Sequence, residues 1–401
     1  MSTHHAGLSP TDLHRSPNAL AAHYSRFRVS ERLLLTGHSH QAWPDRGFEG
    51  QCRAWTDAAE HVDEKWPRAL EVADRVRRGY ADLLDDPEGD IALGVNTHEL
   101  VVRFLSALPL RRRPRLVTTD GEFHTIRRQL DRLAEEGLEV VKVPAHPADG
   151  LAERLAGAVD DRTAAVLVSS VLYESAHIVR GLSDALASCR RVGAELLVDV
   201  YHQLNVVPFS LREQRLEDAF VVGGGYKYMQ LGEGNCFLRI PPGRWMRPVI
   251  TGWYSEFGAL ASGERSDRVR YGNGAYRFAG ATYDPASHYR AAAVLDFFGE
   301  FGLNPHFLRA VSQHQLALLA QTFDALDLDP AVVARDRTVP LQAIGGFLAL
   351  RSPGAQALCG ALRERGVHTD HRGQMLRFGP APYLSDVQIT AAMEALGDVL
   401  S

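Results

Sequence analysis

The sequence predicts an α/β protein in two lobes, a large domain built on a three-layer, mostly parallel sheet and a smaller α+β domain at the C-terminal end. Two observations carry this. Between Ile91 and Ile240 short apolar runs alternate with helix-length segments, the pattern of strands buried on both faces of a sheet. From about residue 285 the order changes to long helices followed by short strands, which places an arm over residues 1–45, the large domain over 46–285 and the small domain over 286–401.

Residues up to about Val29 read as a polar, poorly patterned arm with a short helix near Leu20 to Tyr24, followed by the apolar approach LLLTGHSHQAWP, which Pro44 stops. From Phe48 to Leu84 apolar residues recur at helical spacing, with Pro67 as the expected break between two helices. A strand over Ile91 to Val95 leads into Asn96, and Asn96 with Glu99 three residues later is a helix-start signature. Strands are then predicted at Arg115–Thr118, Leu138–Val143, Ala164–Ser170, Ala194–Val200, Ala219–Val222 and Asn235–Ile240, the earlier ones separated by helices. A loop-rich stretch through TGWYSEFGAL and RYGNGAYRFAGATYDP precedes the small domain, where strands are expected at Gly346–Leu350, Val367–Asp370 and Leu376–Gly379.

The 401 residues are 45% hydrophobic and 23% charged, enough to bury a large core. A net charge of -5 and a pI near 6.4 provide no basic field for nucleic acid or an anionic membrane, which leaves a small molecule or a protein as the partner. No run approaches the ~20 apolar residues of a membrane span, and the N-terminus lacks the apolar centre of a signal peptide. Four cysteines stand far apart without zinc-type or disulfide spacing, which suits the cytoplasm. The run Arg111 to Arg113 reads as a solvated loop.

Chemistry concentrates between Leu197 and Tyr228. One apolar run ends in Asp199, with His202 three residues on, and a second opens through Gly223, Gly224 and Gly225 into Tyr226 and Lys227. A lysine after a glycine-rich turn is by itself an ordinary surface charge. Here it follows the end of a buried strand, where open α/β sheets bind ligands, and the three glycines let backbone come close to a cofactor. Asp199 either caps the next turn or meets a buried cation, since a carboxylate after an apolar run is costly to bury alone. An amine and an acid so placed suit pyridoxal phosphate (PLP), which needs a lysine for its aldehyde and a carboxylate for its pyridine nitrogen.

Other residues extend that reading. His202 is a core histidine or a partner of the acid or of the ring. Asn96 and Thr97 open a helix whose free amides suit a phosphate, although a plain N-cap explains them equally. Phe123 or His124 can stack on the ring, and Trp253 and Tyr254 line the pocket or a dimer contact. Arg377, inside the apolar strand MLRFG, binds either a substrate carboxylate or Asp370 or Asp386. His38 and His40 alternate and on an extended segment share a face, but with too few companions to read as a metal site.

The segments DVYH (199–202), VVPF (206–209), GYKY (225–228), GW (252–253), RFAGAT (277–282) and DHRGQMLRFGPAPY (370–383) resemble the kynureninase branch of the class V aminotransferase-like, fold type I PLP enzymes. They occur in that family's order with similar spacing, from about residue 90 to the end. The resemblance implies Lys227 as Schiff-base lysine and proton shuttle, Asp199 on the pyridine nitrogen with His202 beside it, and Phe123 on the ring with His124 as the substitute. It further implies Tyr226 on the phosphate and as an acid in catalysis, Trp253 with Asn96 and Thr97 around the phosphate, Thr282 reaching in from the second subunit of a homodimer, and Arg377 on the substrate carboxylate. Two departures mark the substrate side. Kynureninases follow the stacking phenylalanine with proline, threonine and aspartate, where this chain has His124, Thr125 and Ile126, and their asparagine-serine-leucine-glycine run is here His38, Ser39, His40 and Gln41. The expectation is therefore side-chain cleavage of an amino acid other than kynurenine, with His40 in the substrate pocket, or alternatively an aminotransferase or a carbon–sulfur lyase. A cysteine desulfurase is disfavoured because Cys359, the one cysteine of the small domain, sits in the helical ALCGALRERG.

Overall fold

The computed structural model describes residues 7–257 and 267–401, so the end of the loop TGWYSEFGAL lies outside the described residues. The arm runs through 3-10 turns to β1 (Leu33–Leu34), and α1 (Asp45–His61) and α2 (Trp66–Leu83) follow. The chain then takes the order β2 (Asp90–Gly94), α3 (Thr97–Ala107), β3 (Arg115–Thr119), α4 (His124–Glu135), β4 (Glu139–Val143), α5 (Leu151–Ala158), β5 (Thr163–Ser169), α6 (Leu182–Val192), β6 (Glu195–Asp199), β7 (Phe220–Gly224) and β8 (Cys236–Ile240). The rest comprises α7 (Ala286–Phe301), α8 (Pro305–Ala325), β9 (Ala334–Arg335), β10 (Leu348–Arg351), α9 (Ala355–Glu364), β11 (Val367–His368), β12 (Asp370–Arg372), β13 (Met375–Phe378) and α10 (Asp386–Leu400).

The large sheet has seven strands in the order β2-β8-β7-β6-β5-β3-β4. Only β8 runs against the others, pairing antiparallel with β2 and β7, while β7, β6, β5, β3 and β4 pair parallel. Alternating side chains feed two separate cores. Val166, Val168, Val198 and Val221 face one, and Leu167, Leu197, Phe220 and Val222 face the other with Leu100 and Phe104 of α3, which makes the three layers. The C-terminal sheet, β12-β13-β10-β9, is antiparallel throughout.

Three expectations change. The break between the first helices falls at Val62, whose φ of 49° ends α1, and Pro67 instead opens α2, where a missing N–H costs nothing. The arm is not a loose polar segment. Leu13, Leu20, Tyr24 and Leu35 are fully buried, β1 pairs parallel with β11, and Gly37 and Gly379 exchange backbone contacts with the arm strand and the C-terminal lobe. Its apolar residues escape a periodic reading because 3-10 turns have no long repeat. Arg113 leaves the solvent to donate to the carbonyls of Val192 and Gly193 that end α6.

Candidate active site

The parallel strands β6 and β7 end side by side, and this sets the site. Asp199 is the last residue of β6, and Lys227 lies three residues beyond the end of β7. The glycines between them serve protein packing rather than approach to a ligand, which corrects the sequence reading. A Cβ on Gly224 would sit 2.5 Å from Cys236 Sγ and from the Tyr201 hydroxyl, and one on Gly225 would meet Leu231.

Asp199, His202, Tyr226, Lys227, Phe123, Asn96 and Thr97 all line one cavity of about 240 Å³. Lys227 is 4% exposed, and the chain has three lysines in all, of which Lys65 and Lys142 are not buried. Its Nζ lies 2.6 Å from His202 Nε2 and 5.3 Å from the centre of the Phe123 ring. Among the described residues no carboxylate comes within ion-pair reach of it. Burial pushes the Lys227 amine down from its ordinary value, against the pull of Asp199. Burial likewise drives His202 well below the usual imidazole range, with Lys227 and Arg377 adding to it. Asp199 is raised by burial, and one of its oxygens accepts the Tyr201 amide at 2.8 Å. His202 thus bonds the lysine, not the acid.

At the other end of the cavity Asn96 caps α3, its Oδ1 accepting the Glu99 amide at 2.9 Å, and the α3 N-terminus opens beside Thr97. Tyr226 stacks on His40 and meets the tilted ring of Tyr201, with ring centres 4.7 and 4.9 Å away, and burial lifts its phenol to about 12.

Several predicted residues lie elsewhere. His38 and His40 do not share a face. The chain turns there, the amides of Ser39 and His40 both donating to Thr36 O, so His38 is fully buried while His40 stays largely exposed on Tyr226. His38 Nε2 meets Asp370 Oδ1 at 2.7 Å, and burial lowers its pKa to about 4. Arg377 makes a bidentate pair with Asp370, Nε–Oδ1 2.8 Å and Nη2–Oδ2 2.5 Å, and Nη1 donates to Tyr173 O. Asp386 pairs with His314 instead. Trp253, 47% exposed, packs on Tyr254 and Phe257 outside the Lys227 cavity, and Thr282 lines a separate cavity of about 550 Å³ with Tyr254 and His288. His124 sits beside Phe123 at the start of α4, and Phe123 is the one of the two that lines the Lys227 cavity.

Glu122 was not foreseen. It is buried against Thr119 and Ser169, which donate to it at 2.7 and 2.6 Å, and burial lifts its carboxyl to about 7 despite those bonds. Ser169 stands directly opposite Asp199 in the β5–β6 register, so a second acid lies behind the first. Thr119 is only three residues away, but Ser169, which ties Glu122 to the Asp199 strand, is 47 away, and no local spacing announces it.

A search of curated protein sequences returned no match. Residues 308–396 match the profile of the kynureninase C-terminal domain. Solved structures match nearly the whole chain. A lysine-to-alanine mutant of C-DES with glycine covalently linked to its PLP cofactor superposes with a TM-score of 0.81 at 17% identity, over 94% of this chain and 98% of that one. The cystine C–S lyase C-DES in complex with cysteine persulfide gives 0.77 at 18% identity, over 92% and 98%. The cysteine desulfurase CsdA from Escherichia coli gives 0.75 at 15% identity, over 98% and 100%. The chain has the fold of these proteins.

Proposed function

We propose that the protein is a PLP-dependent enzyme that acts on an α-amino acid and breaks a side-chain bond after Lys227 takes the α-proton, a kynureninase-like course on a substrate other than kynurenine. The carrying observation is the buried Lys227 amine, with no carboxylate partner among the described residues, sharing one cavity with a buried Asp199 at the ends of adjacent strands.

The residues present fit the cofactor. When bound, PLP supplies an aldehyde for an amine and a ring that draws electrons from the bonds of the α-carbon. Lys227, lowered by burial, offers the neutral amine that both nucleophile and base require. His202 holds that amine by its Nε2 contact. Asp199, with one oxygen engaged by the Tyr201 amide, keeps the other for a ring N–H. Phe123 covers one side of the cavity, and the α3 N-terminus at Asn96 and Thr97 suits a phosphate, with the Tyr226 hydroxyl nearby. Tyr226, held protonated by burial, can then give a proton to the departing side chain. Arg377 has spent three of its five N–H groups on Asp370 and Tyr173, leaving one on each of Nη1 and Nη2 for a substrate carboxylate. His40, stacked on Tyr226 at the cavity edge, is placed to meet the substrate. Trp253 and Thr282 would serve the cavity of a second copy in a homodimer, since neither lines its own.

A second reading, carbon–sulfur cleavage, is favoured by the likeness to the cystine C–S lyase and the desulfurase. A persulfide-forming cysteine of the desulfurase kind is disfavoured. Cys359 is buried in α9 with Sγ 3.5 Å from Thr369 O.

A panel of amino acids that includes kynurenine and cystine, given to PLP-loaded protein, separates these courses. Alanine released from a substrate other than kynurenine supports the first reading, and pyruvate with released sulfur supports the second. A keto acid with the side chain intact overturns both in favour of transamination.

A further inference from the structure

A separate cluster lies where the arm meets the C-terminal lobe. His14, just after the first 3-10 turn, accepts the Asp386 amide on its carbonyl at 3.0 Å. Its ring stacks on that of His314 in α8, with centres 3.5 Å apart and planes 10° from parallel. His314 Nε2 in turn meets both oxygens of Asp386 at 2.9 and 3.0 Å. One ligand atom from each of the three residues lies within 4.8 Å of the others, and among the described residues this is the only such grouping of His, Cys, Asp and Glu. None of the three lines the Lys227 cavity.

Two features call for a cation. His14 Nε2 is enclosed and has no hydrogen-bond partner among the described residues, which is costly for a polar atom. Two imidazoles stacked face to face cannot both carry a proton cheaply.

We propose that His14, His314 and Asp386 form a binding site for a divalent cation of the zinc type, which fastens the arm to the C-terminal lobe. Two imidazoles and one carboxylate are a zinc donor set, whereas calcium and magnesium prefer oxygen ligands alone. Three protein ligands leave a fourth position for water. The side chains of His314 and Asp386 are each 37% exposed, so the ion has a way in. Because the rings are parallel, one must turn for the lone pairs to converge, and His14, whose Nε2 no described residue holds, is the one that can do so. The ion takes the place of the hydrogen bond between His314 and Asp386. It joins residues 300 positions apart, and therefore binds the folded chain and stabilises it.

The test is calorimetric titration of Zn²⁺ into the full-length, PLP-loaded and metal-stripped protein, with its thermal midpoint, for the parent and for His14→Gln, His314→Gln and Asp386→Asn. Circular dichroism and retained cofactor absorbance establish that each variant is folded. One ion per chain and a raised midpoint are expected in the parent, with affinity at least ~10-fold weaker in each variant. No binding by the parent, or the same binding and midpoint shift in both histidine variants, overturns the site. Neither outcome bears on the PLP reading.

Discussion

Two clusters of buried titratable groups lie side by side in this molecule and are built on opposite principles. Around Lys227, an amine, an imidazole and an acid are all pushed toward their neutral forms, and among the described residues none forms an ion pair. Around Asp370, burial also raises the carboxyl, but His38 and Arg377 outweigh it and hold it well below the usual carboxylate range. The second cluster is drawn together on the Asp370 carboxylate and joins the arm, through His38, to the β12–β13 hairpin. Burial of a charge therefore does not by itself mark chemistry. What marks it is a buried group whose unmade bonding faces a cavity, and Lys227 and Asp199 have it in one cavity.

The contrast can be broken most severely at Lys227. Lys227→Ala should lower turnover by ~10²–10⁴-fold or more with the fold retained, since it removes both the nucleophile and the base. Steady-state rates with circular dichroism check this, and a variant of near-normal activity would place the chemistry elsewhere. The cluster around Asp370 should answer in stability instead. Asp370→Ala leaves Arg377 buried without its carboxylate and should cost ~3–5 kcal/mol in urea unfolding. A loss confined to substrate binding would show that Asp370 belongs with the open group.

Glu122 sharpens the same contrast through pH. Its folded pKa of about 7 lies above the ordinary 4.5, so the stability tied to its proton is fully present below about 4.5 and lost as pH rises through about 7. Between those limits the parent should lose up to about 3 kcal/mol that Glu122→Gln keeps. Parallel stability curves for the two proteins would show that Glu122 is already ionised. The smallest effect is expected at His40. His40→Ala removes an exposed ring and should change stability by no more than ~0.5 kcal/mol. Its signature, if His40 meets the substrate, is a higher KM with the cofactor spectrum unchanged.

Most strands and helices could be read in order because an apolar strand and its amphipathic neighbour leave local patterns, and Asp199 and Lys227 stood out because each follows such a strand. What stayed hidden was pairing across distance. His38 and Asp370 are 332 residues apart, Glu122 and Ser169 are 47 apart, and no spacing rule joins them. Arg377 shows the limit most clearly, since an arginine in an apolar strand announces that an acid is near without saying whether the acid is substrate or Asp370. The arm misled for another reason. Its buried Leu13, Leu20 and Tyr24 sit on 3-10 turns, so their burial follows the shape of the lobe they rest on rather than any repeat of their own.

Whether Lys227 carries the cofactor is directly measurable, because the chain has three lysines. The purified protein, loaded with PLP, is reduced with borohydride, digested and mapped by mass spectrometry. A pyridoxyl-phosphate adduct is expected on the peptide that contains Lys227 and none on those of Lys65 or Lys142. No adduct, or one spread over the surface lysines alone, would contradict it.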